Sequence, residues 1–320
     1  MRSIVMGLFA TMLAGALPAQ AQQTVLRRVG PEGPVPEGAQ QVMVRRAPPA
    51  AERVGDHAEL AMTLTAGIPT ISAMVNGKGP FRFGVDTGAS GYLILKAELA
   101  ATLGLEPVGE ARAGDPSGRN PVSVKLYSVD SVSFGGLDYR GVSASEIGIT
   151  GGPMAELDGI IGIAFFRDIL LTLDFGQGRL IAAAGALPEP NGKDIVPVSL
   201  EPSGLFNIPL RIGAVEETVH LDTGNGRQAL FVPEGTVARL AVTGEPRRLG
   251  VARTVSQEIE IQGRDLAVPV TIGTTRLPVT EVAYPSITVG NLGSAALAGM
   301  AITLDAQNQR VRVVPSAPTS

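Results

Sequence analysis

Two aspartates stand in matching surroundings in this 320-residue chain. Phe83-Gly84-Val85-Asp86-Thr87-Gly88-Ala89-Ser90 carries the first, and Val219-His220-Leu221-Asp222-Thr223-Gly224-Asn225-Gly226 carries the second, 136 positions later. In each copy a short apolar run ends in Asp-Thr-Gly. One Asp-Thr-Gly is ordinary turn chemistry; two in the same context read as a pair of carboxylates built to act together. Carboxyl groups held close cannot both ionise cheaply, so one pKa rises, the other falls, and the pair shares a proton. The ionised member can take a proton from a water as that water attacks a carbonyl. The protonated member can donate to the carbonyl oxygen and later help protonate the leaving nitrogen. That titration belongs to the pair, so the sequence leaves open which of Asp86 and Asp222 is the acid. Gly88 and Gly224 permit a turn that a side chain would hinder. Thr87 and Thr223 can hydrogen-bond across the join and hold the two loops together.

The elements that must position this pair also come twice. Leu60 to Thr65, Ile71 to Val75 and Phe81 to Val85 read as strands, with Asn76-Gly77 as a tight turn before the run that delivers Asp86. Tyr92 to Leu95 follows as a strand, and Lys96 to Leu105 has helical spacing that stops at Gly104 with Pro107 beyond. Val122 to Val132 alternates as a strand after a polar stretch from Gly109 to Pro121, and Val142 to Ile149 continues the pattern. Ile169 to Phe175 and Arg179-Leu180-Ile181 flank a Gly176-Gln177-Gly178 turn. The plan then restarts. Leu205 to Ile212 and Glu216 to Leu221 lead to Asp222, Leu230 to Val232 follows, and a short helix fits Pro233 to Leu240. Val255 to Ile261, Leu266 to Ile272 and Leu277 to Val282 read as further strands. The segment Asn291 to Asp305 aligns without a gap on Ile160 to Asp174, so that Thr172-Leu173-Asp174 falls on Thr303-Leu304-Asp305 and Arg179 on Arg310. Repeats this long indicate duplication of a whole domain rather than a solenoid.

Composition sets the outer bounds. Apolar residues make up 44% of the chain, Gly and Pro are frequent (40 and 24), and there is no Trp. This is the make-up of many short strands joined by turns. A net charge of −4, with no basic cluster beyond pairs such as Arg45-Arg46 and Arg247-Arg248, argues against general binding of nucleic acid. With no cysteine, thiol catalysis, thiolate metal sites and disulfides are excluded. Residues 1–21 read as a secretory signal. Arg2 precedes an uncharged run from Ile4 to Leu17, and Ala19-Gln20-Ala21 is a small-x-small cleavage site. The run is shorter than the roughly 20 residues that span a bilayer. The expectation is export, with a periplasmic or secreted mature chain that has no membrane span. Residues 22–58 are polar and punctuated by proline, and are expected to form a disordered leader or linker.

The motif residues carry a resemblance. Asn76-Gly77-Lys78-Gly79-Pro80-Phe81-Arg82-Phe83 ahead of Asp86-Thr87-Gly88-Ala89-Ser90, with Asp158-Gly159-Ile160-Ile161-Gly162 downstream, is similar to the pepsin/retropepsin superfamily of aspartic proteases, most closely its bacterial retropepsin-like members. The resemblance covers residues 60–316. It implies a mainly β chain of two tandem closed β-barrel lobes, 59–190 and 191–316, with few short helices and an active-site cleft between the lobes. It implies an aspartic endopeptidase with Asp86 and Asp222 as the catalytic pair, and Thr87, Gly88, Thr223 and Gly224 supporting the loops. The substrate is a peptide or protein, and no cofactor or metal is needed. Two lobes in one chain make a monomer sufficient. The candidate flap is the stretch containing Gly114, Asp115, Ser117 and Gly118, which lacks the tyrosine of pepsin-type flaps; Tyr127 lies further along.

The chain departs from the pattern where Asn225-Gly226 follows the second Asp-Thr-Gly, and where Asn291 takes an apolar slot. These departures keep open an alternative, a weakened or inactive relative that uses the interlobe cleft to bind peptides or a partner protein. A serine hydrolase built on Ser90 lacks the Gly-x-Ser-x-Gly spacing, and only His57 and His220 are available as bases. No acidic or histidine cluster has metal-ligand spacing; Asp130, Asp138 and Asp158 read as turn acids. Gly224-Asn225-Gly226 and Gly290 to Gly293 lack the Lys-Ser/Thr ending and helical context of phosphate loops.

Overall fold

The computed structural model describes residues 11–12, 50–114, 122–147, 155–253, 258–285 and 290–317. The chain is predominantly β, with two short α-helices, Ala97–Leu103 and Glu234–Val237, among the described residues. No described helix is long and apolar enough to cross a membrane.

The duplication seen in the sequence is a duplication of topology. In the first ten-stranded sheet, the central order is Leu137–Ile147, Leu93–Lys96, Gly159–Gly162, Lys78–Asp86, Ile68–Val75. In the second, Glu281–Tyr284, Leu230–Phe231, Gly290–Gly293, Val215–Asp222 and Phe206–Ile212 follow in the same order. Each sheet also carries a long hairpin, Pro107–Gly114 with Val122–Phe134 in one and Val242–Arg253 with Glu258–Leu266 in the other. Met74 and Val75 pair in addition with Ser133 and Val132, joining strands that lie far apart in the sheet order. Thr11 and Met12 pair with Gly114 and Ala113 at the tip of the first hairpin.

A third sheet of six strands is shared. Its order is Ile195–Pro197, Arg310–Pro315, Met300–Asp305, Leu170–Asp174, Arg179–Ala183, His57–Ala61. The two middle strands are repeat equivalents and pair antiparallel, with Thr172 opposite Thr303. Their hydroxyls share a hydrogen bond of 2.8 Å. When a residue pairs with its own repeat counterpart, the local two-fold axis passes between them. One continuous apolar core then runs beneath strands of both halves, from Phe83 and Leu173 to Leu221 and Ile302. Aromatics are few, but Tyr92, Phe134, Tyr139, Phe165 and Phe166 gather in the first half, with Phe165 edge-on to Tyr139 at 4.7 Å.

Most expected strands are present, with shifted ends. The run Leu60 to Thr65 breaks at Met62, whose N–H donates to Gly178 O, because His57–Ala61 joins the shared sheet while Thr63–Thr65 joins the first ten-stranded sheet. The run Leu266 to Ile272 is likewise two strands, Glu258–Leu266 and Val270–Ile272, with Pro269 between them unable to donate to a ladder. Helix Ala97–Leu103 ends as expected on Gly104 in the left-handed region, φ 71°. The polar leader gives way to paired backbone by Glu52–Val54, which lies against Asp138–Arg140.

Candidate active site

The strand Lys78–Asp86 delivers Asp86 and the strand Val215–Asp222 delivers Asp222. Beside each runs a parallel glycine-bearing strand in identical register, with Gly162 opposite Asp86 and Gly293 opposite Asp222. The backbone also repeats: Ile163 N donates to Ala89 O at 2.9 Å, and Ser294 N to Asn225 O at 3.0 Å. A Cβ at Gly162 would lie 2.3 Å from Gly91 O, and one at Gly293 would lie 2.2 Å from Gln228 O. Each aspartate loop is thus threaded so tightly against its neighbour that only glycine fits.

The two loops meet through the threonines expected to join them. Thr87 N donates to Thr223 Oγ1 at 3.0 Å and Thr223 N to Thr87 Oγ1 at 3.1 Å. Each hydroxyl then donates onward into the opposite strand, Thr87 Oγ1 to Leu221 O at 2.9 Å and Thr223 Oγ1 to Val85 O at 2.7 Å. Both threonines are fully buried. Four reciprocal bonds, in which each hydroxyl both donates and accepts, hold the loops in one geometry.

That geometry puts the aspartates face to face. A Cβ on Gly224 would lie 2.4 Å from Asp86 Oδ2, and one on Gly88 would lie 2.8 Å from Asp222 Oδ1. Each carboxylate therefore occupies the space that the other loop's glycine leaves empty. Both are buried, Asp86 at 0% exposure and Asp222 at 4%. Burial and the charge of Asp222 push the Asp86 carboxyl well above its ordinary range, against the Gly88 N–H that donates to Oδ1 at 2.7 Å. Asp86 Oδ2 is buried without a hydrogen-bond partner among the described residues. Burial also raises Asp222, but donors oppose the rise, foremost the side chain of Asn291. Asn291 Nδ2 donates to Asp222 Oδ2 at 2.7 Å, and Asn225 N donates to Asp222 Oδ1 at 3.1 Å.

The structure thus brings together Asp86, Thr87, Gly88, Asp222, Thr223 and Gly224. Sequence reasoning left Asn225 and Asn291 outside the site, as departures from a pattern. The signal was there: two polar residues stand where the first half has Ala89 and Ile160. Gly67 and Ser294 were missed altogether. Ser294 Oγ donates to Gly67 O at 2.6 Å, and a Cβ at Gly67 would lie 1.9 Å from Gly226 O, so the hairpin turn at Ala66-Gly67 rests on the second Asp-Thr-Gly loop.

Other candidates are placed elsewhere. Gly114 ends a strand of the first hairpin, while Asp115, Ser117 and Gly118 lie outside the described residues. Tyr127 is buried, and its hydroxyl donates to Glu146 on the neighbouring strand; burial first, and then Glu146, pushes its pKa up to about 12. It is thereby committed to the sheet. Ser90 is buried at 1% exposure. His220 Nε2 and Glu201 Oε1 are 2.8 Å apart, a structural pairing. No group of three or more His, Asp or Glu is arranged to hold a metal among the described residues. A cavity of about 650 Å³ opens in the second half between Leu210, Thr218, Pro233 and Thr271, and neither aspartate lines it.

A family model described as aspartyl protease matches residues 71–165. The match takes in the first Asp-Thr-Gly loop, the first hairpin and the Gly159–Gly162 strand, and ends ahead of the second half. No curated protein matches the chain.

Proposed function

We propose that the chain is an aspartic endopeptidase whose two halves each supply one catalytic aspartate. The observation that carries this reading is the mutual placement of Asp86 and Asp222, each filling the space beside the other loop's glycine, with their loops locked by the Thr87–Thr223 bonds. The family match over residues 71–165, which takes in Asp86 but not Asp222, also supports peptide hydrolysis.

In the reaction, a water between the carboxyl groups loses a proton to the ionised aspartate as its oxygen bonds to the scissile carbonyl carbon. The protonated aspartate gives its proton to the carbonyl oxygen, and a neutral gem-diol results. Collapse breaks the C–N bond. The nitrogen takes the proton held by the first aspartate, and one diol hydroxyl returns a proton to the second. Atoms and charge balance with no covalent intermediate. The catalytic role of the pair, the lobe limits 59–190 and 191–316, a monomer as the working unit, and export with cleavage near Ala21 are all parts of this proposal.

The alternative is a peptide-binding relative that no longer cleaves. The asparagines that raised it donate to Asp222 or to each other and leave its carboxylate in place, which favours the enzyme. The test is cleavage of a mixed peptide library by the purified mature chain from about pH 3 to 8, beside Asp86→Asn and Asp222→Asn. Activity that disappears in each single variant is the expected result. Folded wild-type chain that binds peptides but cleaves none would establish the binder.

A further inference from the structure

We infer that Asn225 and Asn291 form a one-way hydrogen-bond relay that makes the aspartate pair asymmetric, holding Asp222 as the ionised base and leaving the proton on Asp86. The inference deepens the peptidase reading, on which its catalytic consequence rests.

The direction of the relay is fixed by the backbone. Gln228 N donates to Asn225 Oδ1 at 3.3 Å. A main-chain N–H can only donate, so the oxygen of the Asn225 amide must face it and the NH2 must face away. That NH2 donates to Asn291 Oδ1 at 2.9 Å. With its oxygen so engaged, Asn291 must turn its own NH2 to Asp222, and it meets Oδ2 at 2.7 Å. Neither amide can flip without setting donor against donor or acceptor against acceptor. All three side chains are buried, at 1% for Asn225, 7% for Asn291 and 4% for Asp222, so the bonds are not shared with bulk solvent. A donor aimed permanently at a buried carboxyl oxygen favours the ionised form.

The first half has no such device. At the equivalent positions stand Ala89 and Ile160, which pack with Ile68, Ile94 and Leu157 in a small apolar cluster. Asp86 accepts from Gly88 N through Oδ1 and the Gly224 N–H also favours its ionised form, but its Oδ2 makes no hydrogen bond and no side-chain amide reaches it among the described residues. Two carboxyls related by the fold's two-fold thus differ by one side-chain donor on one side and apolar packing on the other. The remaining charged groups that bear on Asp222 are Asp86 across the junction and His220 on its own strand, itself paired with Glu201. Asn291 is a positioning residue, acting on the reaction through Asp222. A substitution that read as damage to the second half is on this view what assigns the roles.

The test separates the two carboxyls. In 13C-carboxyl-labelled full-length mature chain, Asp222 titrates alone in Asp86→Asn, and Asp86 alone in Asp222→Asn. Asp222 should titrate below Asp86. Adding Asn291→Leu to the Asp86→Asn chain should raise the Asp222 pKa by about one to two pH units, the size of one hydrogen bond to a buried charged group. In otherwise wild-type chain, Asn291→Leu should move the acidic limb of the kcat/KM profile upward by a similar amount, because activity is lost as pH falls through the pKa of the base. Asn225→Ala, which keeps Asn291 but frees its amide to turn, should shift both readouts in the same direction by less, and decides the matter if Asn291→Leu does not fold. Asp86 titrating below Asp222, or an Asp222 pKa unmoved in the folded variants, overturns the relay. The carboxyl titration needs no turnover, so an inert wild-type chain would refute the peptidase reading while the relay is still judged on its own.

Discussion

Replacing Thr223 with valine tests the junction directly, because the two side chains have nearly the same shape and differ in one hydroxyl. That hydroxyl donates to Val85 O at 2.7 Å and accepts from Thr87 N at 3.0 Å, both buried. Thr223→Val therefore strands one carbonyl and one N–H away from water. Each unsatisfied buried group costs about 1–3 kcal/mol, so the loss should be about 2–6 kcal/mol. That is a large share of a domain-scale stability of about 5–15 kcal/mol. Thr223→Ser keeps the hydroxyl and sheds one methyl, which should cost less than about 1.5 kcal/mol. The assay is equilibrium unfolding in urea at neutral pH followed by far-ultraviolet circular dichroism, since the chain has no tryptophan to report. Thr87→Val should behave alike, breaking the other two bonds to Leu221 O and from Thr223 N. The two valines together should cost less than their sum, because once the loops part the second hydroxyl has little left to hold. A Thr223→Val chain within about 0.5 kcal/mol of wild type, or serine as costly as valine, would refute the claim that these bonds hold the loops together.

Further expectations follow from the same geometry. Gly67→Ala brings a Cβ to 1.9 Å from Gly226 O at φ 87°, whereas Gly77→Ala meets nothing within 4 Å at φ 70°. Thermal unfolding should show Gly77→Ala losing only the roughly 1–2 kcal/mol of left-handed strain and Gly67→Ala clearly more; equal losses would deny the contact between turn and loop. Gly224→Ala sets a Cβ 2.4 Å from Asp86 Oδ2, and peptide cleavage should fall by about 100-fold or more while the circular dichroism of the sheets is kept. Retained activity would mean that the carboxyl does not need that space. The raised Asp86 pKa makes the folded state hold a proton that the unfolded chain releases. Its stabilising contribution is therefore present at low pH and lost as pH rises from the ordinary carboxylate range through the raised value. Asp86→Asn, which cannot titrate, should flatten the melting temperature over that range and melt higher than wild type at neutral pH; parallel curves would show that burial does not perturb Asp86.

Much of this was legible in the sequence because it is local or repeated. Asp-Thr-Gly after an apolar run is readable at once, and the alignment of Asn291–Asp305 on Ile160–Asp174 gave the correspondence that the sheets follow. The threonine contact was also accessible, since a hydroxyl next to a pairing aspartate has few places to go. What stayed hidden depends on distance in sequence. Asn225 and Asn291 bond across 66 positions, and Ser294 and Gly67 across 227. Strand ends were misplaced where a chain changes sheet, as at Met62, because hydrophobic pattern marks a strand but not its partner. Gly226 stood in the sequence only as part of a departure from the pattern, but it is the space in which the Ala66-Gly67 turn rests.

The shared six-stranded sheet sets where the chain can be cut and rejoined. Under the two-fold between Thr172 and Thr303, strand Arg179–Ala183 maps onto Arg310–Pro315, and the edge strand His57–Ala61 maps onto Ile195–Pro197. The crossing from the end of one hairpin strand to the opposite edge is made once by residues 184–194. The two-fold relates this to a crossing of equal length and opposite sense, from the end of Arg310–Pro315 back to the start of His57–Ala61. The segment from His57 to Pro315 thus describes one arc of a closed loop, and the gap between its two ends is equivalent to the crossing made by residues 184–194. A circular permutant opened within 184–194, with Ser316 tied to Ala50 and residues 50–56 supplying part of the path, would exchange the order of the two aspartates along the chain and leave their meeting point unchanged.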